Sequence, residues 1–267
     1  MQDRYAGDVG DFGKFGLLRH LCGVTADDKH DRLKPGVIWY RVADESHNAD
    51  GCHICYLQKN EANKTRFRAC DEKLYDALSK MVFPDNDRSI AALERAGLLP
   101  NAVYYGNDVC HGRRKVTCPR ADWFKSALEQ TAGCKLVFVD PDNGIECADL
   151  RRTQRRSCKY VFRDEIKALV GRGQSVVVYH QIGRIGGKAD KQTEFHLKTL
   201  LAELTLGHRP FGVLFRRNTV RAFLIIPNHE HRELLLERTN ALVKRWGLDE
   251  WKKSKPKPHF TGPIFLT

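Results

Sequence analysis

The sequence predicts a single α/β domain of Rossmann-like type, with a mostly parallel twisted sheet and helices on both faces. Three observations carry this expectation. Short β-branched runs alternate with stretches of helical periodicity along most of the chain, the pattern of strand–helix–strand units. One of those runs, Leu136-Val-Phe-Val139, is continuously apolar, as a strand covered on both faces must be. Polar residues follow directly on successive runs, so chemistry-bearing side chains collect along one edge of the sheet, where open α/β sheets bind ligands.

The elements follow in chain order. Phe12, Phe15, Leu18 and Leu21 recur at helical spacing and define a first helix. Val37–Val42 is the first strand. The segment Gln58–Leu99 carries helical periodicity, with Leu74, Leu78 and Val82 on one face, but no strand pattern. It is therefore a helical insertion, at about 58–99, ahead of the second strand, Ala102–Tyr105. Trp123, Ala127 and Leu128 mark a short helix before the Leu136–Val139 strand, and Val161 to Val170 gives one after it. Ser175–Tyr179 is the next strand and Thr193–Leu204 the next helix. Gly212–Phe215 and Ala222–Ile226, split by Arg216-Arg217-Asn218-Thr219, form an antiparallel hairpin on the sheet edge. A helix at His229–Trp246 closes the domain, which spans about 1–250. Residues 251–267, with Lys252-Lys-Ser-Lys-Pro-Lys-Pro-His259, form an extended basic arm.

Composition narrows the function. The 267 residues are 42% hydrophobic, enough for a full core and too many for a disordered polymer. Lys and Arg number 45 against 33 Asp and Glu, and the net charge of +12 favours a polyanionic partner. Nucleic acid, DNA or RNA, is the leading one. No apolar run approaches membrane-spanning length, and Gln2, Asp3 and Arg4 do not begin a signal peptide, so no membrane partner is expected. The nine cysteines are irregularly spaced, as expected of free thiols in a reduced cytoplasmic protein.

Leu136–Val139 ends in Asp140-Pro141-Asp142-Asn143-Gly144, where proline and glycine stop the ladder and leave Asp140 at the strand end. An Asx-type turn explains the same residues, and the local sequence leaves both readings open. The N-terminal Tyr5-Ala-Gly-Asp-Val-Gly-Asp-Phe-Gly-Lys-Phe-Gly16 is equally unusual. Its glycines allow close backbone approach to a ligand, and Asp8, Asp11 and Lys14 place charge at a helix start. Asp8 or Asp11 serves as a helix cap or as a ligand contact. After the first strand, Asp44, His47, Asn48, Asp50 and His53 fill a polar loop. Cys52-His53-Ile54-Cys55 is a CxxC unit, but Cys110 and Cys118 are poorly spaced to complete a zinc site, so buried thiols are the better expectation. Gly106-Asn107-Asp108 and His180-Gln181-Ile182-Gly183-Arg184 follow later strands. One polar strand end is an accident more easily than several.

This order of motifs resembles the class I S-adenosylmethionine-dependent methyltransferases, above all the bacterial family that methylates adenine N6 in large-subunit ribosomal RNA. Tyr5-Ala-Gly-Asp8 and Gly10-Asp-Phe-Gly-Lys14 stand where that family has its N-terminal motif, and Asp140-Pro141-Asp142-Asn143 where it has Asp-Pro-Pro-Tyr. The resemblance covers roughly Tyr5 to Arg184. It implies cofactor contacts at Lys14, Asp44, His47, Asp108 and Asp122, and a catalytic segment Asp140, Pro141, Asp142 and Asn143. Substrate contacts would fall on Tyr5, Asp8, Phe12, His180 and Arg184. The family's glycine-rich loop is replaced by Asp44-Glu-Ser-His-Asn48. Its base-stacking aromatic is replaced by Asn143, so another platform is needed: Phe12, Tyr5 or Tyr179.

On this reading Asp140 accepts a hydrogen bond from an exocyclic amine and aligns it for methyl transfer. Two alternatives stand beside it. Asp140, Asp142, Asp44, Asp50, His47 and His180 are the residue types of a Mg2+- or Mn2+-dependent phosphodiesterase or nuclease. A catalytically inactive nucleic-acid-binding relative is the other.

Overall fold

The computed structural model describes residues 1–25, 32–46, 50–109, 119–183, 187–204, 206, 208–247 and 258–266. Its first regular helix is α1 (Val9–Leu21), followed by strand β1 (Pro35–Trp39). The insertion carries α2 (Glu61–Asn63), a π-helical stretch at Lys64–Arg68, α3 (Glu72–Val82) and α4 (Ile90–Arg95). Then come β2 (Val103–Tyr105), α5 (Arg120–Gln130), β3 (Leu136–Asp140) and two short strands, β4 (Gly144–Ile145) and β5 (Tyr160–Val161). The remainder is α6 (Arg163–Gly171), β6 (Ser175–Gln181), α7 (Ala189–Glu203), β7 (Phe211–Arg217), β8 (Thr219–Ile226), α8 (Arg232–Arg245) and β9 (Phe260–Ile264).

Seven strands form one sheet in the order β2-β1-β3-β6-β8-β7-β9, and β4 and β5 pair separately. The β2-β1-β3-β6 half is parallel, with Val37 opposite Phe138 and Val139 opposite Val178. From β6 onward the pairing is antiparallel. The expected α/β fold is therefore present, with its hairpin in place but not at the edge. That edge belongs to β9, which lies in the segment expected to be a free arm. Gly262 and Pro263 disguise it in sequence; an edge strand tolerates proline because its outer N–H groups need no partner.

Alternate residues of β3 enter different cores. Leu136 and Phe138 belong to the core that holds Phe12 and Phe15 of α1, Leu235 and Leu242 of α8 and Trp246 just beyond it, whereas Val137 and Val139 pack with α5, α6 and α7. This two-sided burial is why the strand is apolar throughout. At the other end, β1 stops earlier than its apolar run. Beyond Trp39, the Tyr40 carbonyl accepts from the Met1 amino group at 2.6 Å, and the Val42 N–H donates to the Met1 carbonyl. The N-terminal residues thus take over the pairing that a longer β1 would have made.

Helix α1 is buried along its whole length, not on one stripe. The N-terminal glycines make that possible. A Cβ on Gly13 would lie 2.7 Å from the Phe215 ring, and one on Gly16 would lie 2.2 Å from Trp246. These two glycines serve helix packing, a correction to their expected role in ligand approach. Gly10, beside Asp8 and Arg221, alone among the three borders a cleft.

Candidate active site

The parallel half runs outward from β1 in both directions, to β2 on one side and to β3 and β6 on the other. Its switch point lies between β1 and β3, and their carboxyl ends are the place where such sheets hold ligands. Asp140 ends β3 there, 1% exposed, and its Oδ2 accepts from Lys14 Nζ at 2.8 Å. Lys14 also approaches Asp11 Oδ1 at 3.2 Å and stands 5.2 Å from the centre of the Tyr179 ring. Among the described residues the other Asp140 oxygen has no hydrogen-bond partner.

Burial would lower the Lys14 pKa, but Asp140 and Asp11 outweigh it and hold the value well above that of an ordinary lysine. Lys14 is a fixed cation. Asp11 shows the converse: fully buried and only partly compensated by Lys14, its carboxyl is pushed up to about 6. Its Oδ2 accepts from the Gly7 N–H at 3.0 Å. Asp8 caps α1 through the Gly10 and Asp11 N–H groups, and it also faces Arg221 at 4.0 Å. The cap and the ligand-facing position are thus one residue. Burial would likewise lower Arg221, yet Tyr179 and Asp8 keep it raised.

Asp8, Lys14, Asp140, Tyr179 and Arg221 line a cleft of about 100 Å3 that also includes Tyr5, Asp50 and His53; Asp11 lies behind it. The tip of the β7–β8 hairpin closes one side, with Asn218 in the left-handed region at φ 59°. Asp50, His53 and Gln181 come from the polar loops expected after the first strand and after the Ser175–Tyr179 strand, whereas Asn218, Thr219 and Arg221 were not expected there, because the hairpin reaches the cleft only through tertiary structure.

The anticipated site residues separate into groups. Tyr5, Asp8, Lys14, Asp140, Pro141 and Asp142 line this cleft. Burial raises the Tyr5 hydroxyl to about 12, with Asp142 adding to the effect. Asp142 faces inward: its Oδ1 lies 2.5 Å from the Met1 amino group and its Oδ2 accepts from Gln2 at 2.7 Å. Burial would raise Asp142, but those partners and Lys159 hold it below the usual carboxylate range. Its first role is to anchor the N-terminus.

Phe12 is wholly buried, 4.7 Å from Trp246 between ring centres, with Tyr56 and Phe67 around it. It is core, not a substrate platform. Asp44 accepts from the Arg4 N–H at an exposed turn, Asp108 pairs with Arg41 at 3.5 Å, and Asp122 sits exposed on the first turn of α5. None of these three lines the Lys14 cleft. His47 and Arg184 lie outside the described residues, as do Asn48, Cys110, Cys118 and most of the Lys252–His259 stretch. Cys52 and Cys55, expected to be buried, are exposed; the short turn Cys55–Leu57 buries Tyr56 and Leu57 instead.

Asn143 and His180 border a second cleft, of about 570 Å3, on the other side of the Asp140–Asn143 segment. Gln181 lines both clefts. Of the residues suggested for a metal-dependent hydrolase, Asp50, Asp140 and Asp142 line one cleft, Asp44 and His180 do not line it, and His47 lies outside the described residues. Asp140 holds Lys14, Asp142 holds the N-terminus, and His180 faces the other cleft. Among the described residues no three His, Cys, Asp or Glu side chains converge on a point able to hold a metal ion. Nor is any described helix long and apolar enough to cross a membrane.

No family model and no curated protein matches this chain. Its chemistry must be read from the site itself.

Proposed function

We propose that this protein is a nucleic-acid-directed, S-adenosylmethionine-dependent methyltransferase acting on an exocyclic amine of the adenine-N6 type. The observation that carries the proposal is the buried Lys14–Asp140 pair at the switch point of the sheet. It presents one committed and one uncommitted carboxylate oxygen to a cleft. The net charge of +12 supports a polyanionic substrate.

The donor set fits the cofactor's charge. Asp8, Asp50 and Asp140 border the cleft and favour a cationic ligand, while Arg221 and Lys14 offset its carboxylate. The described cavity takes in only one end of a molecule of that size. When bound, the cofactor supplies an electrophilic methyl group carried on a sulfonium. Lys14 fixes Oδ2 and so orients the Asp140 carboxylate; Oδ1 is left to accept a hydrogen from the target amine. Such positioning and charge placement is the kind of contribution that accelerates a transfer needing no covalent protein intermediate. Asp11 and Tyr179 hold Lys14 in place, and Arg221 sets the wall opposite Asp8.

Metal-dependent hydrolysis is less well supported. Lys14 already neutralises one Asp140 oxygen, and among the described residues no three His, Cys, Asp or Glu side chains converge on a point able to hold a metal ion.

The test is transfer of isotopically labelled methyl groups from S-adenosylmethionine to RNA and DNA from cells lacking the protein. Label in N6-methyladenine, lost in Asp140→Asn, is expected. Full-length folded protein that labels neither polymer would contradict the proposal.

A further inference from the structure

The second cleft carries an exposed aromatic ring of its own. Asn143 stands where the resemblance implies an aromatic residue that stacks on a base; of the other rings considered, Phe12 and Tyr179 are buried and half-buried Tyr5 lines the Lys14 cleft. Across the cleft, α7 presents Phe195, 65% exposed although it is a large apolar ring on an otherwise polar helix face. The His196 ring lies 5.5 Å from Phe195, and the His180 ring lies 4.0 Å from His196. Three rings thus run from the protein surface to the end of β6.

Their protonation suits an uncharged aromatic ligand. Burial lowers His180 to about 3, with His196 adding to it, and burial and Arg163 lower His196 to about 4. The Nδ1 of His180 accepts from the Ile145 N–H at 3.2 Å, which leaves its proton on Nε2. Asn143 and Tyr160 add polar groups to the same walls.

The rim is basic. Arg151 and Arg155 are exposed in the segment between Ala148 and Tyr160, both of which line the cleft. Their neighbours Arg152 and Arg156 are paired with Asp164 and Asp149. The side chains of Arg151 and Arg155 have no acidic partner among the described residues.

We infer that this cleft holds a nucleobase of a single-stranded nucleic acid, with Phe195 and His196 as its stacking platform and Arg151 and Arg155 on the adjoining phosphates. The inference rests on the methyltransferase reading for its purpose but not for its test. Stacking on an exposed ring is tolerant of sequence, and phosphate contacts give the salt dependence that accompanies it.

Single-stranded RNA and DNA oligonucleotides carrying 2-aminopurine provide the probe, because stacking quenches their fluorescence. We expect quenching with at least one of the two polymers. Phe195→Ala is expected to abolish the quenching and to weaken binding roughly tenfold or more. Phe195→Trp is expected to retain both. Because Phe195 is exposed, its variants should match the unaltered protein in circular dichroism and melting. Arg151→Ala with Arg155→Ala should lower the slope of log affinity against log salt by about 2. Absence of binding to both polymers, or Phe195→Ala that binds and quenches like the unaltered protein, would overturn the inference. Calorimetry with S-adenosylmethionine separates the two proposals: donor binding with no effect of Phe195→Ala sinks only the base-holding cleft. A Phe195-dependent oligonucleotide complex with no donor binding sinks only methyl transfer.

Discussion

Replacing Asp11 by asparagine should stabilise this protein at neutral pH and leave it nearly unchanged in acid. Asp11 is fully buried, and its carboxyl moves from an ordinary value of 3.8 to about 6 because burial outweighs the attraction of Lys14. The raised value means that the native state keeps the proton longer than the unfolded chain does. Its contribution is thus fully present below pH 4 and is lost as pH rises through 6. At about 1.4 kcal/mol per tenfold change in proton affinity, the buried charge costs roughly 3 kcal/mol above pH 7. Asparagine removes that charge and keeps an oxygen for the Gly7 N–H, while Lys14 retains Asp140. Urea unfolding of both proteins, followed by tryptophan fluorescence, gives their difference as a function of pH. That difference isolates Asp11 from the buried histidines. It should be near zero at pH 4 and should favour Asp11→Asn by roughly 1–3 kcal/mol at pH 7.5. A variant less stable than the unaltered protein at pH 7.5 would refute the reasoning, because Asp11 would then be a net stabilising partner of Lys14.

Other perturbations test the frame around the site. Gly16→Ala drives a methyl group to 2.2 Å from the buried Trp246 ring and should cost about 1–3 kcal/mol in urea unfolding. Gly171→Ala meets nothing within 4 Å and should be neutral or slightly stabilising in the same assay. Glu165→Gln takes the bidentate carboxylate from the buried Arg120 guanidinium, and a loss of about 3–5 kcal/mol is expected in the same denaturation experiment. His259, held to about 3 by burial and by Arg217, accepts from Arg217 at 2.7 Å and anchors β9. Its depressed value makes its contribution present above pH 6.5 and lost as pH falls towards 3; acid unfolding of His259→Phe should therefore set in at lower pH than that of the unaltered protein.

What could be seen in the sequence follows from how local the cause is. Leu136–Val139 and its terminal Asp140 were legible because two-sided burial demands a continuous apolar run and a strand end needs turn residues. Lys14 and Asp8 were legible because charge beside glycine at a helix start is rare. Phe12 carried the same local signal, but it packs among Tyr56, Phe67 and Trp246, which come from distant parts of the chain, and not against the cleft. Arg221 and the Phe195–His196 pair come from distant segments whose own patterns resemble ordinary strand or surface. β9 was hidden by the glycine and proline that an edge strand accepts. The end of β1 was misplaced because its last apolar residues pair with Met1 instead of the neighbouring strands.

Isothermal titration of the folded, full-length protein with S-adenosylmethionine, and with S-adenosylhomocysteine, tests the central proposal most directly. Saturable heat with at least one of the two, weakened in Lys14→Met, is the predicted result. No heat from either compound would contradict the proposal and would leave the Lys14–Asp140 pair as a structural feature of the switch point.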